Sequence, residues 1–66
     1  MEFKDILKEL RTDRGLSHRS LSEAIGYSYS AISKWELGKQ KPTLDALIAM
    51  SRYFNVTIDF LAGLEN

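Results

Sequence analysis

The sequence contains no cysteine, a single histidine and no excess of either charge, with nine Lys and Arg against nine Asp and Glu. Without cysteine there are no disulfide staples and no thiolate metal sites, and such a chain suits a reducing cytoplasm. The lone His18 has no second ligand at a useful spacing, so no metal site is expected. It also lacks a neighbouring acid or nucleophile constellation. With no glycine-rich cofactor loop either, the sequence does not read as an enzyme and suggests no cofactor or small-molecule ligand. The longest apolar run, Ala46 to Met50, is far too short to span a bilayer. The first residues, Met1-Glu2-Phe3-Lys4-Asp5, lack the layout of a signal peptide.

What is present is enough for one small folded unit, residues 1–66. The chain is 66 residues long and 44% hydrophobic, which supports a globule rather than a disordered chain. At this size only about 60% of the unfolded surface is buried, so the core must be efficient. The zero net charge argues against a nucleic-acid binder at first sight, but the charges are unevenly placed. Residues 1–17 balance. Residues 18–41 carry Arg19, Lys34, Lys39 and Lys41 against Glu23 and Glu36, and residues 42–66 carry Arg52 against Asp45, Asp59 and Glu65. The middle third is basic and the tail acidic, a field that orients a partner more than it attracts one from afar.

Helical spacing recurs along the chain. Phe3, Ile6, Leu7 and Leu10 follow the i, i+3, i+4, i+7 template, and Gly15 reads as a stop, which predicts a helix over about 3–14. Ser17 can cap a second helix carrying Leu21 and Ile25 and ending at Gly26; Ser20 stands where a full capping box would need Glu. Thr43, after Pro42, caps a further helix with Leu44, Leu47, Ile48, Ser51 and Phe54 on one stripe and Asn55 as its stop. Thr57 caps a short last helix holding Ile58, Phe60 and Leu61. There is no repeat or low-complexity segment, and the connections are short, as in a helical bundle.

The segment GYSYSAISKWELGKQKP, residues 26–42, is ambiguous at its start. Tyr27-Ser28-Tyr29-Ser30-Ala31 alternates like a half-buried strand. A strand, however, would place Ile32 and Lys34 together on the solvent face. On a helix at about 100° per residue, Ala31, Ile32 and Trp35 form one apolar stripe, and Tyr29, Ser30, Ser33, Lys34 and Leu37 a separate one. Ser28 supplies the cap, and Tyr27 and Ile32 have the spacing of a hydrophobic staple. The helical reading prevails, and two short helices joined by Gly26-Tyr27-Ser28 make a helix-turn-helix.

From His18 to Leu37 the chain resembles the motif of the phage repressor and Cro-like DNA-binding family, the xenobiotic-response-element type of transcriptional regulator. The matching features are Leu21, the small Ser22, Gly26, Ile32, and Trp35-Glu36 leading into Gly38-Lys39. LKELRTDRGLS before the motif, GKQKPTLDALIAMSRYFNV after it and DFLAG near the end extend the likeness over nearly the whole chain. The resemblance implies an all-α, five-helix, lambda-repressor-like domain that binds double-stranded operator DNA and regulates transcription, as a repressor. It further implies that the helix 29–36 lies in the major groove, with Tyr29, Ser30, Ser33 and Lys34 facing the bases. Lys can donate to guanine O6 and N7, whereas serine discriminates poorly. Tyr29 departs from the short polar residues usual at its position; its ring suits a thymine methyl and its hydroxyl a phosphate.

Ser17, His18, Ser28, Lys39, Gln40 and Lys41 are the expected phosphate contacts, which set register without reading sequence. The N–H groups at the start of the second helix add an anion site. Structural roles are expected for Ser22, which needs to be small and needs a backbone partner for its hydroxyl, and for Gly26, which makes the left-handed turn. Ile32 and Trp35 should seat the recognition helix on the first and fourth helices. In the family an Arg late in the first helix pairs with the Glu after the last core residue of the motif, here Arg11 and Glu36. Trp35 is thus expected in the core, not as a stacking platform. Ile58, Phe60, Leu61 and Leu64 offer more apolar surface than a short last helix needs, which suggests a weak homodimer. The competing reading is a helical module that keeps the fold but binds a protein, in the manner of an antitoxin or anti-repressor.

Overall fold

Ser17, Ser28, Thr43 and Thr57 each begin a helix, their side-chain oxygens accepting the N–H three residues on, at 3.0, 3.1, 3.2 and 3.0 Å. A cap of this kind contributes about 1 kcal/mol, which matters in helices this short. In the computed structural model, which describes residues 1–65, α1 spans Phe3–Asp13, α2 His18–Ile25, α3 Tyr29–Glu36, α4 Leu44–Phe54 and α5 Ile58–Leu61. No strand occurs among the described residues. α1 stops one residue short of the expected end. Arg14 leaves the helical path, and the Leu16 N–H turns back to the Arg11 carbonyl at 3.0 Å. Gly26 at φ 78° ends α2, and Asn55 at φ 57° ends α4.

Each helix contributes one large, fully buried side chain: Leu7, Leu21, Ile32, Met50 and Leu61. Around them close Ile6, Trp35, Ala46 and Phe54, with Phe3, Leu10, Tyr27 and Leu47 packed against the outside of the cluster. Trp35 is only 3% exposed. Its ring meets Phe3 of α1 edge-on at 6.4 Å and Tyr27 of the turn at 5.5 Å.

Three expectations are corrected here. The buried face of α4 is Ala46, Met50 and Phe54, not the stripe led by Leu44, which is 64% exposed. Phe54 belongs to both stripes, and Leu47 is half-buried against the core. Because α4 is apolar most of the way round, its packing on α2 and α5, not its periodicity, selects the inner face. Likewise α3 packs mainly on α1 and α2, while α4 is held mainly by α2 and α5, so the principal seat of α3 is the first and second helices rather than the first and fourth. Finally, Leu61 is fully buried and belongs to the core, so it is unavailable to a dimer surface; Phe60 and Leu64 are exposed.

One contact had no signal in the sequence. Arg14, just past α1, donates to the Tyr53 and Phe54 carbonyls at 3.2 and 3.0 Å. Its guanidinium also lies 5.5 and 5.2 Å from the centroids of those two rings. A cation there satisfies carbonyls that the end of α4 leaves unpaired.

Candidate nucleic-acid interface

The orientation of α3 is set from beneath by one ion pair. Arg11 grips Glu36 with two parallel bonds, Nε to Oε2 at 2.6 Å and Nη2 to Oε1 at 3.0 Å, and its third nitrogen donates to the Leu16 carbonyl at 2.7 Å. The two side chains are 13% and 6% exposed. Burial pushes the Glu36 carboxyl up. The Arg11 hydrogen bond, then the neighbouring His18 and the charges of both, outweigh burial and hold it below its ordinary value. The bond to Glu36 raises Arg11 in turn. α1 and the end of α3 are therefore tied by a fork-to-fork contact of the stronger kind.

With Trp35 and Ile32 inward and Glu36 paired, the remaining side of α3 faces out. Tyr29, Ser30 and Lys34 are exposed, and Tyr29 is 56% so; Ser33, expected on the same stripe, is half-buried at its edge. Past the helix, Lys39, Gln40 and Lys41 are all exposed. Ser17 and Ser28 each spend a lone pair on their own caps; Ser28 keeps a hydroxyl proton to donate, while the Ser17 hydroxyl also shares a hydrogen bond with Ser20 Oγ at 2.9 Å. Ser22 donates to the Arg19 carbonyl at 2.7 Å, which supplies the backbone partner its hydroxyl requires.

His18 opens α2 and is half-buried. Its Nε2 is turned inward, 3.2 Å from Glu36 Oε1 but without a hydrogen bond to it, and its ring meets the Tyr29 ring edge-on at 5.5 Å. That contact brings the start of α2 beside the start of α3.

The exposed charges of residues 18–41 are more basic than the sequence count. Glu36 is neutralised internally by Arg11, which lies outside the middle third of the chain. On the surface of residues 18–41, Arg19, Lys34, Lys39 and Lys41 therefore oppose Glu23 alone. Arg19 is also exposed, and the sequence carries a signal at its position. α1, α4 and α5 each carry an acid in the first turn, namely Asp5, Asp45 and Asp59, and α2 and α3 carry none. α2 instead opens with His18 and Arg19, where a cation opposes the helix dipole and gains only if an anion arrives. Among the described residues, no group of three or more His, Cys, Asp or Glu assembles as a metal site, and no helix is long and apolar enough to cross a membrane.

Two short helices joined at a left-handed glycine, the second held from below and bare on its outer face, define a helix-turn-helix domain. A helix-turn-helix family model matches residues 7–61, and the chain belongs to that family. The HTH-type transcriptional activator BcrR of Enterococcus faecalis is 46% identical over 65 residues, covering 98% of this chain and 32% of that protein. YobD of Bacillus subtilis, an uncharacterized HTH-type transcriptional regulator, is 34% identical over 60 residues, covering 91% of this chain and 54% of the relative. The chain thus spans between a third and about half the length of these relatives. Among solved structures, the P22 c2 repressor in complex with a synthetic operator superposes with a TM-score of 0.91 at 23% identity, over 98% of both chains. At that identity the likeness shows the fold, which is repressor-like.

Proposed function

We propose that residues 1–66 form one domain that binds duplex DNA sequence-specifically and regulates transcription from the cytoplasm, with the motif at 18–37. The carrying observation is the outer face of α3, whose first turn lies beside that of α2, in a segment whose unpaired exposed charges are four basic groups and one acid. α3 is eight residues long, a rise of about 12 Å, and the major groove is about 12 Å wide. Tyr29, Ser30, Ser33 and Lys34 meet base edges. Ser17, Ser28, Lys39, Gln40 and Lys41 contact phosphates, joined by Arg19. Repression is the sign we propose for the domain by itself, because occupancy alone produces it. Two copies associate weakly through Ile58, Phe60 and Leu64. The relative named as an activator and the repressor–operator complex both support a DNA-bound regulator.

The test is titration of random duplex DNA at low and moderate salt, followed by selection from a random duplex library. Binding should weaken steeply with salt, and selection should converge on one short sequence. No binding at low salt would instead favour a helical module with a protein partner.

A further inference from the structure

An exposed tyrosine at the first position of a helix has little to fix it. Both rotatable bonds are free on the solvent side, and a mobile ring reads a base edge poorly. Tyr29 is 56% exposed, yet its ring has a fixed neighbour, the His18 edge at 5.5 Å and 74°. That separation lies within the range of attractive edge-to-face pairs. His18 is itself anchored. Its side chain is 26% exposed, and Nε2 points at Glu36 Oε1, the oxygen that also accepts from Arg11 Nη2. Nε2 is buried and has no hydrogen-bond partner. An imidazole serving only as a phosphate contact gains nothing from burying a nitrogen against a carboxylate. A carboxylate 3.2 Å from Nε2 holds that edge of the ring inward, which restricts the ring plane.

We propose that His18 is a positioning residue for sequence reading: it connects the Arg11–Glu36 pair to Tyr29 and holds that ring at the angle at which it meets the bases. The linkage runs from α1 through the end of α3 and the start of α2 to the start of α3, so the two ends of the reading helix are braced against one carboxylate. It rests on the reading of Tyr29 as a base contact.

The experiment compares the parent with His18→Ala, Tyr29→Ala and the double variant, on the selected operator and its single-base changes, at two salt concentrations. His18→Ala and Tyr29→Ala should relax preference at the same base pair, by roughly three- to tenfold, where tenfold corresponds to about 1.4 kcal/mol. In the Tyr29→Ala background, His18→Ala should change base preference no further. The slope of log affinity on log salt should be unchanged by His18→Ala. A slope reduced by about one with preference intact would make His18 a phosphate contact and overturn the proposal. So would a uniform loss of affinity that tracks a loss of fold. If His18→Ala does not fold, His18→Gln keeps a donor for Glu36 without a ring and should show the same relaxed preference. In the free protein the Tyr29 ring resonances should shift in either variant; unshifted resonances would also overturn the proposal. A parent with no base preference but with a histidine-dependent Tyr29 signal would sink the DNA reading and its positioning role, leaving the contact itself intact.

Discussion

Removing the Arg11 side chain strands Glu36, 6% exposed, beneath α3. An uncompensated buried charge costs about 3–5 kcal/mol, and the low end applies because Arg11 keeps some exposure. In a domain holding about 5–15 kcal/mol, Arg11→Ala should therefore lower the urea midpoint markedly, and an unchanged midpoint would mean that the pair does not stabilise α3. The same pair sets an acid limb. Glu36 is held below its ordinary value when folded, so as pH falls the unfolded chain takes up that proton first. The pair's stabilisation is complete above the ordinary carboxylate value of about 4.3 and is lost as pH drops through the lower folded value. Glu36→Gln should flatten this part of the stability–pH curve, though the variant starts less stable. On the outer face, Lys34→Ala should cost roughly 1–3 kcal/mol of binding and relax preference at one or two bases. Arg19→Ala, Lys39→Ala or Lys41→Ala should weaken all sequences about equally and reduce the salt slope by about one each. Binding across single-base operator changes at two salt concentrations separates the two behaviours.

At the scale of the elements, the turn between α2 and α3 and the contact between the chain ends make different demands on glycine. Gly26 sits at φ 78° with open space around the missing side chain, so Gly26→Ala should cost about 1–2 kcal/mol, from conformation alone. Gly63 has the same φ, but a Cβ there would collide with the Met1 carbonyl oxygen. Gly63→Ala should therefore cost more than Gly26→Ala, and thermal melts of the two variants rank them directly. Trp35→Ala should unfold the domain, since its ring joins α3, Phe3 and Tyr27; truncating a buried aromatic costs about 3–5 kcal/mol. A folded Trp35→Ala protein with a cooperative melt like the parent's would contradict that assignment.

At the scale of the whole molecule, the domain measures 29 × 23 × 21 Å. Half-sites one DNA turn apart lie about 34 Å centre to centre. Two copies on one duplex face then touch only at their margins, far short of the 1,000 Å² or so that a stable interface buries. The expected association is weak and assisted by DNA. Leu64→Asp, at a side chain that is 74% exposed, should abolish cooperative occupancy of a palindromic site while leaving half-site affinity and the melting temperature nearly unchanged. Leu61→Ala should instead lower stability by about 2–5 kcal/mol, because that side chain is in the core. Light scattering with occupancy curves tests both, and one-to-one binding on a palindrome would remove the dimer.

The sequence alone determined the helices and their starts. Ser17, Ser28, Thr43 and Thr57 cap through bonds spanning three residues, and α3 was separable from a strand by the positions of Ile32 and Trp35; such signals are local, so composition and spacing carry them. The Arg11–Glu36 pair was legible only through resemblance, since nothing local links residues so far apart. Only the tertiary structure decided which side of α4 is buried, because a helix that is apolar most of the way round fits more than one orientation and its neighbours choose. It also decided that Leu61 is core, and that Arg14 closes α4. The candidate site was divided in the same way. Its exposed stripe followed from helical period, but the inward turn of His18 and the silencing of Glu36, which leaves a basic segment in a neutral chain, depend on contacts between helices that no local spacing encodes.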